Sequence, residues 1–215
     1  MNNMAFILNL EKHEYTLDGE ILPSVTQIIS PLSNYSRVNP DILERARLYG
    51  TAVHEMIRLW LQNKLDEASL DGQLRPALES FQNWYYDGQF AKDIDECGII
   101  CEEPRYHSTL RYAGTPDLII DSIVIIDIKT RQCNPFIDSL QLAAYENLHL
   151  ANDGSKADYK RIVLQLEECP ITGSKYKETD VYHKKAWPMC RAMLDRYYRE
   201  QEFTKKIEGW RRTWK

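Results

Sequence analysis

The stretch from Gly114 to Lys129, GTPDLIIDSIVIIDIK, constrains the rest of the chain most strongly. It holds two very apolar runs, Leu118–Ile120 and Ile123–Ile126, separated by the short joint Asp121-Ser122. Strands joined that tightly form an antiparallel hairpin. Acid interrupts the runs at their ends, at Asp117 and Asp127, and Lys129 follows two residues later. Side chains alternate faces along a strand, so Asp127 and Lys129 point the same way, roughly 6–7 Å apart. The hairpin can bring Asp117 beside them. Two carboxylates and an ammonium at the edge of an aliphatic sheet are costly to desolvate unless something pairs with them. A divalent cation held by the carboxylates would satisfy that arrangement.

The flanks of the hairpin predict its surroundings. Residues 5–26 read as a small β element: Phe6, Leu8 and Leu10 share one face, and Asp18-Gly19 is a turn. Ser24 can cap a short helix, with Gln27 three residues later as in a capping box, and Pro31 stops it. Pro40 opens a helix running to about Asn63, with Ile42, Leu43, Ala46, Tyr49, Val53, Ile57 and Trp60 near helical period. Gly50 and His54 lie one turn apart on it. A glycine inside a helix costs about 1 kcal/mol against alanine, so it usually marks the close approach of a backbone or a ligand. A second helix is predicted over Asp71 to Gln89, then strands at 98–107, 111–120 and 123–129 and a helix from Phe136 to about Leu150. A strand at Arg161–Leu166, a further one at Lys177–Tyr182 and a helix from His183 to Ile207 complete the chain. The order predicts an α/β (α+β) fold, a mixed sheet flanked by helices, in one domain with its core over 22–182 and a C-terminal helix and basic tail over 183–215.

Composition excludes more than it selects. A chain of 215 residues can bury a sizeable core, and no apolar stretch reaches the length of a membrane span. The N-terminus lacks the pattern of a signal peptide, so the default location is cytoplasmic. The five cysteines are odd in number and scattered, which argues against a disulfide framework. The formal charge is −5, so a nucleic-acid partner would need a local basic patch. Arg105, Arg111, Lys129 and Arg131 are candidates near the hairpin. The tail from Phe203 to Lys215 interleaves Lys205, Lys206, Arg211, Arg212 and Lys215 with Trp210 and Trp214. Basic side chains neutralise phosphates and aromatics stack on bases, although tryptophans packed on the body would explain the tail equally well.

Mg²⁺ or Mn²⁺ held by Asp117 and Asp127 would activate a water and neutralise a phosphate, with Lys129 beside it to steer or deprotonate the water or to stabilise developing charge. Pro116-Asp117 followed by Asp127-Ile128-Lys129 resembles the PD-(D/E)xK pattern of metal-dependent nucleases. Gly114 before the first aspartate, Thr130 after the lysine, Gln141 and Tyr145 as Q-x-x-x-Y, and His54 after Gly50 extend the match. The set resembles the RecB-type nuclease domain over roughly residues 22–166, the group that includes CRISPR-associated and mitochondrial genome maintenance exonucleases. The opening Pro23-Ser24-Val25-Thr26 is similar to the latter.

The resemblance implies a restriction-endonuclease-like core and a metal-dependent DNA exonuclease of recombination, repair or phage DNA processing. It implies Asp117, Asp127, His54 and the Ile128 carbonyl as metal ligands and Lys129 as the catalytic lysine. Gln141 and Tyr145 would orient the lysine or bind the DNA backbone. Glu102 resembles a further acidic position, with Glu103 its competitor. Thr130 and Arg131 are candidate DNA contacts, as are Ser24 and Thr26, for which helix capping is the competing use. Some relatives hold an iron–sulfur cluster on late clustered cysteines; only Cys169 and Cys190 come late here, so no cluster is expected. DNA ends, single-stranded or duplex, are the implied partner, and a recombination protein is a further one. Two other readings stand beside this: an endonuclease of structure-specific or restriction type using the same site, and a nucleic-acid-binding module that does not cleave.

Overall fold

The computed structural model describes residues 5–33, 38–153, 158–166 and 176–213, the side chains of 209–213 excepted. The chain opens with a three-stranded antiparallel meander, β1 (Phe6–Asn9), β2 (Glu14–Leu17) and β3 (Glu20–Leu22). Its inner face buries Tyr15, Leu17 and Leu22. Helix α1 (Val25–Ile29) follows, and Ser24 caps it as expected: Gln27 N–H donates to Ser24 Oγ at 3.1 Å and Ser24 N–H to Gln27 Oε1 at 2.9 Å. Helix α2 (Pro40–Leu61) starts where proline sits without loss, in the first turn behind the Asn39 cap. Next come α3 (Arg75–Asp87) and the short α4 (Ala91–Cys97).

The strands that follow are β4 (Ile100–Cys101), β5 (Arg105–His107), β6 (Tyr112–Gly114), β7 (Leu118–Ile120) and β8 (Val124–Lys129). Helix α5 (Pro135–Asp153), β9 (Lys160–Gln165), β10 (Lys177–Asp180) and α6 (Ala186–Thr213) close the chain. The central sheet runs β10-β9-β8-β7-β4. It is mixed: β8 and β9 are parallel, and every other pair is antiparallel. The expected hairpin is present, with Leu118 opposite Ile126 and Ile120 opposite Val124, and Ser122 takes the left-handed backbone of the turn at φ +60°.

Period-two alternation splits the core between the two sheet faces. Ile119, Ile125 and Val163 face α1, α5 and the first half of α6, where Ala186, Cys190 and Leu194 are buried. Leu118, Ile120, Val124, Ile126 and Ile128 face Val53, Met56 and Ile57 of α2, Phe81 and Trp84 of α3, and Ile94 of α4.

Four expectations need correction. The strand predicted at 98–107 is two short strands in different sheets, and the one at 111–120 breaks likewise. Pro104 and Pro116 cannot donate to a ladder, and Glu102 and Arg111 turn through left-handed backbone at φ +48° and +59°, so the chain leaves the central sheet for the β5–β6 ribbon and returns. The second helix begins at Arg75, which places Pro76 in its first turn, and α4 is an additional element. The apolar stripe of α2 is buried only in its second half: Ile42, Leu43 and Leu48 are exposed. No helix among the described residues is long and apolar enough to cross a membrane.

Candidate active site

The site forms where the hairpin meets α2 and α5, at the C-terminal end of β8. Extending the β7–β8 register sets Asp117 opposite Asp127 and Pro116 opposite Ile128. A proline has no N–H to give the Ile128 carbonyl. The Ile128 N–H, lacking its ladder partner, donates to Asp117 Oδ2 at 2.7 Å. The Pro-Asp pair therefore ends the ladder and turns a carboxylate onto the strand opposite. Asp127 and Lys129 share the face toward α5, as alternation demands, with Lys129 Nζ 2.7 Å from Asp127 Oδ2.

Helix α5 supplies a clamp. Gln141 Nε2 donates to Asp127 Oδ1 at 2.8 Å and reaches the Tyr145 hydroxyl at 3.3 Å, and Gln141 Oε1 accepts from Lys129 Nζ at 3.4 Å. The four-residue spacing of Gln141 and Tyr145 puts both on one helix face. Tyr145 also fills the space above Gly114: a Cβ there would lie 2.8 Å from Tyr145 Cε1 and 3.0 Å from Val25 Cγ2.

Helix α2 closes the other side. His54 Nδ1 lies 3.4 Å from Asp117 Oδ1 and 3.7 Å from Glu102 Oε1. Glu102, in its left-handed backbone, donates its N–H to the Asp117 carbonyl at 3.0 Å. Arg58, one turn beyond His54, approaches Glu102 Oε2 at 3.7 Å. That arginine went unread in the sequence; His54-x-x-x-Arg58 on one helix face was the available signal.

Opposite charge and burial set the electrostatics. Asp117 pushes the His54 imidazole up to about 10, against the opposing effect of burial. Burial works to raise Asp117, but His54, Lys129 and the Ile128 N–H outweigh it and hold the carboxyl below its ordinary range. Burial lifts Asp127 to about 6, and neighbouring Asp117 adds to the lift while Lys129 opposes it. Burial would lower Lys129, yet Asp127 and Asp117 keep its ammonium above the usual value. Burial raises the Tyr145 phenol well above its ordinary range, so it stays neutral.

The donors fit a hard divalent cation. Asp127 Oδ2 is buried and has no aligned hydrogen-bond donor, despite the nearby ammonium. The Ile128 carbonyl faces a proline. His54 and Lys129 meanwhile neutralise the acids, and among the described residues no group of three or more His, Cys, Asp or Glu is already gathered in cation-holding geometry.

Other candidates lie elsewhere or are engaged. Ser24 is almost buried and spent on the helix cap, with its hydroxyl 3.0 Å from that of Thr26. Arg105 is buried and paired with Glu103 at 3.0 Å and with Asp153, so it offers no charge to a ligand. Arg111 is taken by Glu20 at 2.6 Å. Arg131 pairs with buried Asp138 at 2.6 Å. Thr130 sits half-buried at the end of β8. Arg105 donates to Glu103, while Glu102 is the acid beside His54. Lys205 and Lys206 are exposed on α6. Cys169, Trp214 and Lys215 lie outside the described residues, as do the side chains of Trp210, Arg211 and Arg212.

No family model and no curated protein matches the chain. A solved structure from Eubacterium rectale, described as a "Putative exonuclease", matches with a TM-score of 0.50 and 11% identity over 71% of this chain. The chain spans 65% of that protein's length. At that identity the likeness concerns the fold alone.

Proposed function

We propose that this protein is a metal-dependent DNA exonuclease. The observation that carries the reading is the meeting, at one end of a buried hairpin, of Asp117, Asp127 and Lys129 with His54. Buried titratable groups whose charges perturb one another mark functional sites more often than structural ones. A neighbour of similar fold, described as a "Putative exonuclease", supports the reaction class. A magnesium or manganese ion bound there would supply an activated water and charge neutralisation at the phosphate.

Asp117, Asp127, the Ile128 carbonyl and His54 would hold the ion, with Glu102 beside His54 as a further acid. The carboxylates of Asp127 and Asp117 favour the charged form of Lys129, against the opposing effect of burial. The task of the ammonium is to stabilise charge gathering on the phosphate oxygens as water attacks. Gln141 holds Asp127 and Lys129 in register, and Tyr145 holds Gln141.

The test is digestion of covalently closed and linear DNA with Mn²⁺. Linear substrate is expected to shorten from its ends while closed circles stay whole. Cleavage of the circles moves the assignment to an endonuclease with the same site, and binding without any cleavage moves it to a nucleic-acid-binding module.

A further inference from the structure

Gly50 stands one turn before His54, inside α2, and the mechanism above gives it no task. Two other glycines are enforced by their neighbours. A Cβ at Gly114 would strike Tyr145 and Val25, and one at Gly88 would lie 2.3 Å from the Trp84 carbonyl oxygen. Gly50 differs. Among the described residues, its Cβ would meet only Thr130 Oγ1, at 3.7 Å, an ordinary van der Waals distance. Its backbone has ordinary helical φ, since the only glycines with positive φ among the described residues are Gly19 and Gly98. Helix propensity favours almost any other residue there. Neither packing nor backbone strain among the described residues accounts for the glycine.

What a side chain at Gly50 would do is stand beside the Thr130 hydroxyl and cover it. Thr130 follows Lys129 directly, and its half-exposed hydroxyl makes no hydrogen bond to a described residue. A hydroxyl with no partner among the described residues, on the α2 side of the strand end that carries Lys129, can donate to a phosphate oxygen. The helical rise from Gly50 to His54 is four residues, roughly 6 Å. A strand with one phosphate at the candidate cation site thus carries its neighbour past Gly50.

We propose that Gly50 and Thr130 form a contact for the sugar–phosphate backbone next to the cleaved diester. Thr130 Oγ1 donates to a phosphate oxygen, and Gly50 keeps the surface of α2 low enough for the strand to reach it. This rests on the nuclease reading and on Thr130 as a DNA contact, and adds to them Gly50 as a positioning residue outside the cation-holding group.

The experiment compares the wild type with Gly50→Ala, Thr130→Val, Thr130→Ser and the Gly50→Ala/Thr130→Val pair. The readouts are melting temperature, KM and kcat with Mn²⁺ on a fluorescein-labelled single-stranded oligonucleotide, and Kd for the same oligonucleotide by anisotropy. Gly50→Ala is expected to melt at or above the wild-type temperature. It should raise KM and Kd roughly tenfold and leave kcat within about twofold. Thr130→Val should weaken binding by about the same factor and Thr130→Ser should restore it. In the paired variant the two losses should not multiply. Wild-type KM and Kd in Gly50→Ala overturn the proposal. So does a lower melting temperature in Gly50→Ala, which would make the glycine a requirement of the fold, and so does a Thr130→Ser variant as weak as Thr130→Val. A wild type that binds the oligonucleotide without cutting it refutes the nuclease reading and leaves Kd to decide this one. A wild type that does neither refutes both.

Discussion

At the scale of single residues, Lys129 and Asp127 depend on each other. The ammonium keeps its proton because two acids face it, and the acid tolerates burial because an ammonium lies 2.7 Å away. Lys129→Ala should cut cleavage by roughly 10²–10³-fold, the range for losing one preorganised charge at a reacting group. The variant should retain its helical circular dichroism, because its buried partner Asp127 can take up a proton. Turnover at the wild-type rate would remove Lys129 from the mechanism. The cysteines give an independent check on the packing. Burial pushes the Cys190 thiol up to about 12, and the residue lies on the buried face of α6, whereas Cys97 is exposed. A thiol reagent at mildly alkaline pH should label Cys97 in the native protein and reach Cys190 only after unfolding. Rapid native labelling of Cys190 would contradict the docking of α6.

At the scale of elements, the turns carry most of the specificity. Ser24→Ala removes one half of a capping box and should cost about 1 kcal/mol of stability, read from denaturant melts. Gly114→Ala should cost about 1–3 kcal/mol, because the added methyl has Tyr145, Val25 and Leu148 within 3.2 Å and no open side to move into. Equal stability of both variants with the wild type would mean that the packing around Tyr145 is looser than described. The elements legible in the sequence were those with a strong period and clear ends. The hairpin had aliphatic runs and a two-residue joint, α1 had its capping box, and α5 had an apolar face. Asp117 facing Asp127 followed from that register. The approach of His54 did not: it depends on where α2 crosses the sheet, and period alone leaves that free. The bends at Glu102 and Arg111 were also hidden, since nothing local marks a non-glycine residue for left-handed backbone. The arginines near the hairpin looked available for DNA because a sequence does not display Asp153, Glu20 or Asp138 waiting in space to pair with them. The exposed first turns of α2 show the converse limit: a helical apolar pattern predicts a helix but not the partner that would bury it.

At the scale of the molecule, a five-stranded mixed sheet separates two helical layers, and its one parallel pair, β8 with β9, holds the strand that bears Asp127 and Lys129. Helix α2 delivers His54 from one layer and α5 delivers Gln141 from the other, so the site draws on both. That arrangement predicts thermal stabilisation by Mn²⁺, because an ion bound to the folded state alone shifts the equilibrium toward it. Chelation should reverse the shift, and Asp117→Asn should abolish it; an unchanged melting curve across added Mn²⁺ would leave the carboxylates without their proposed ligand. The most direct measurement of the central claim is the digestion of end-labelled single-stranded and double-stranded oligonucleotides with Mn²⁺, alongside chelator and the Lys129→Ala variant. The account predicts progressive shortening by the wild type with Mn²⁺ alone, and intact substrate in both controls. Substrate left whole by the wild type, or shortened equally by Lys129→Ala, would contradict it.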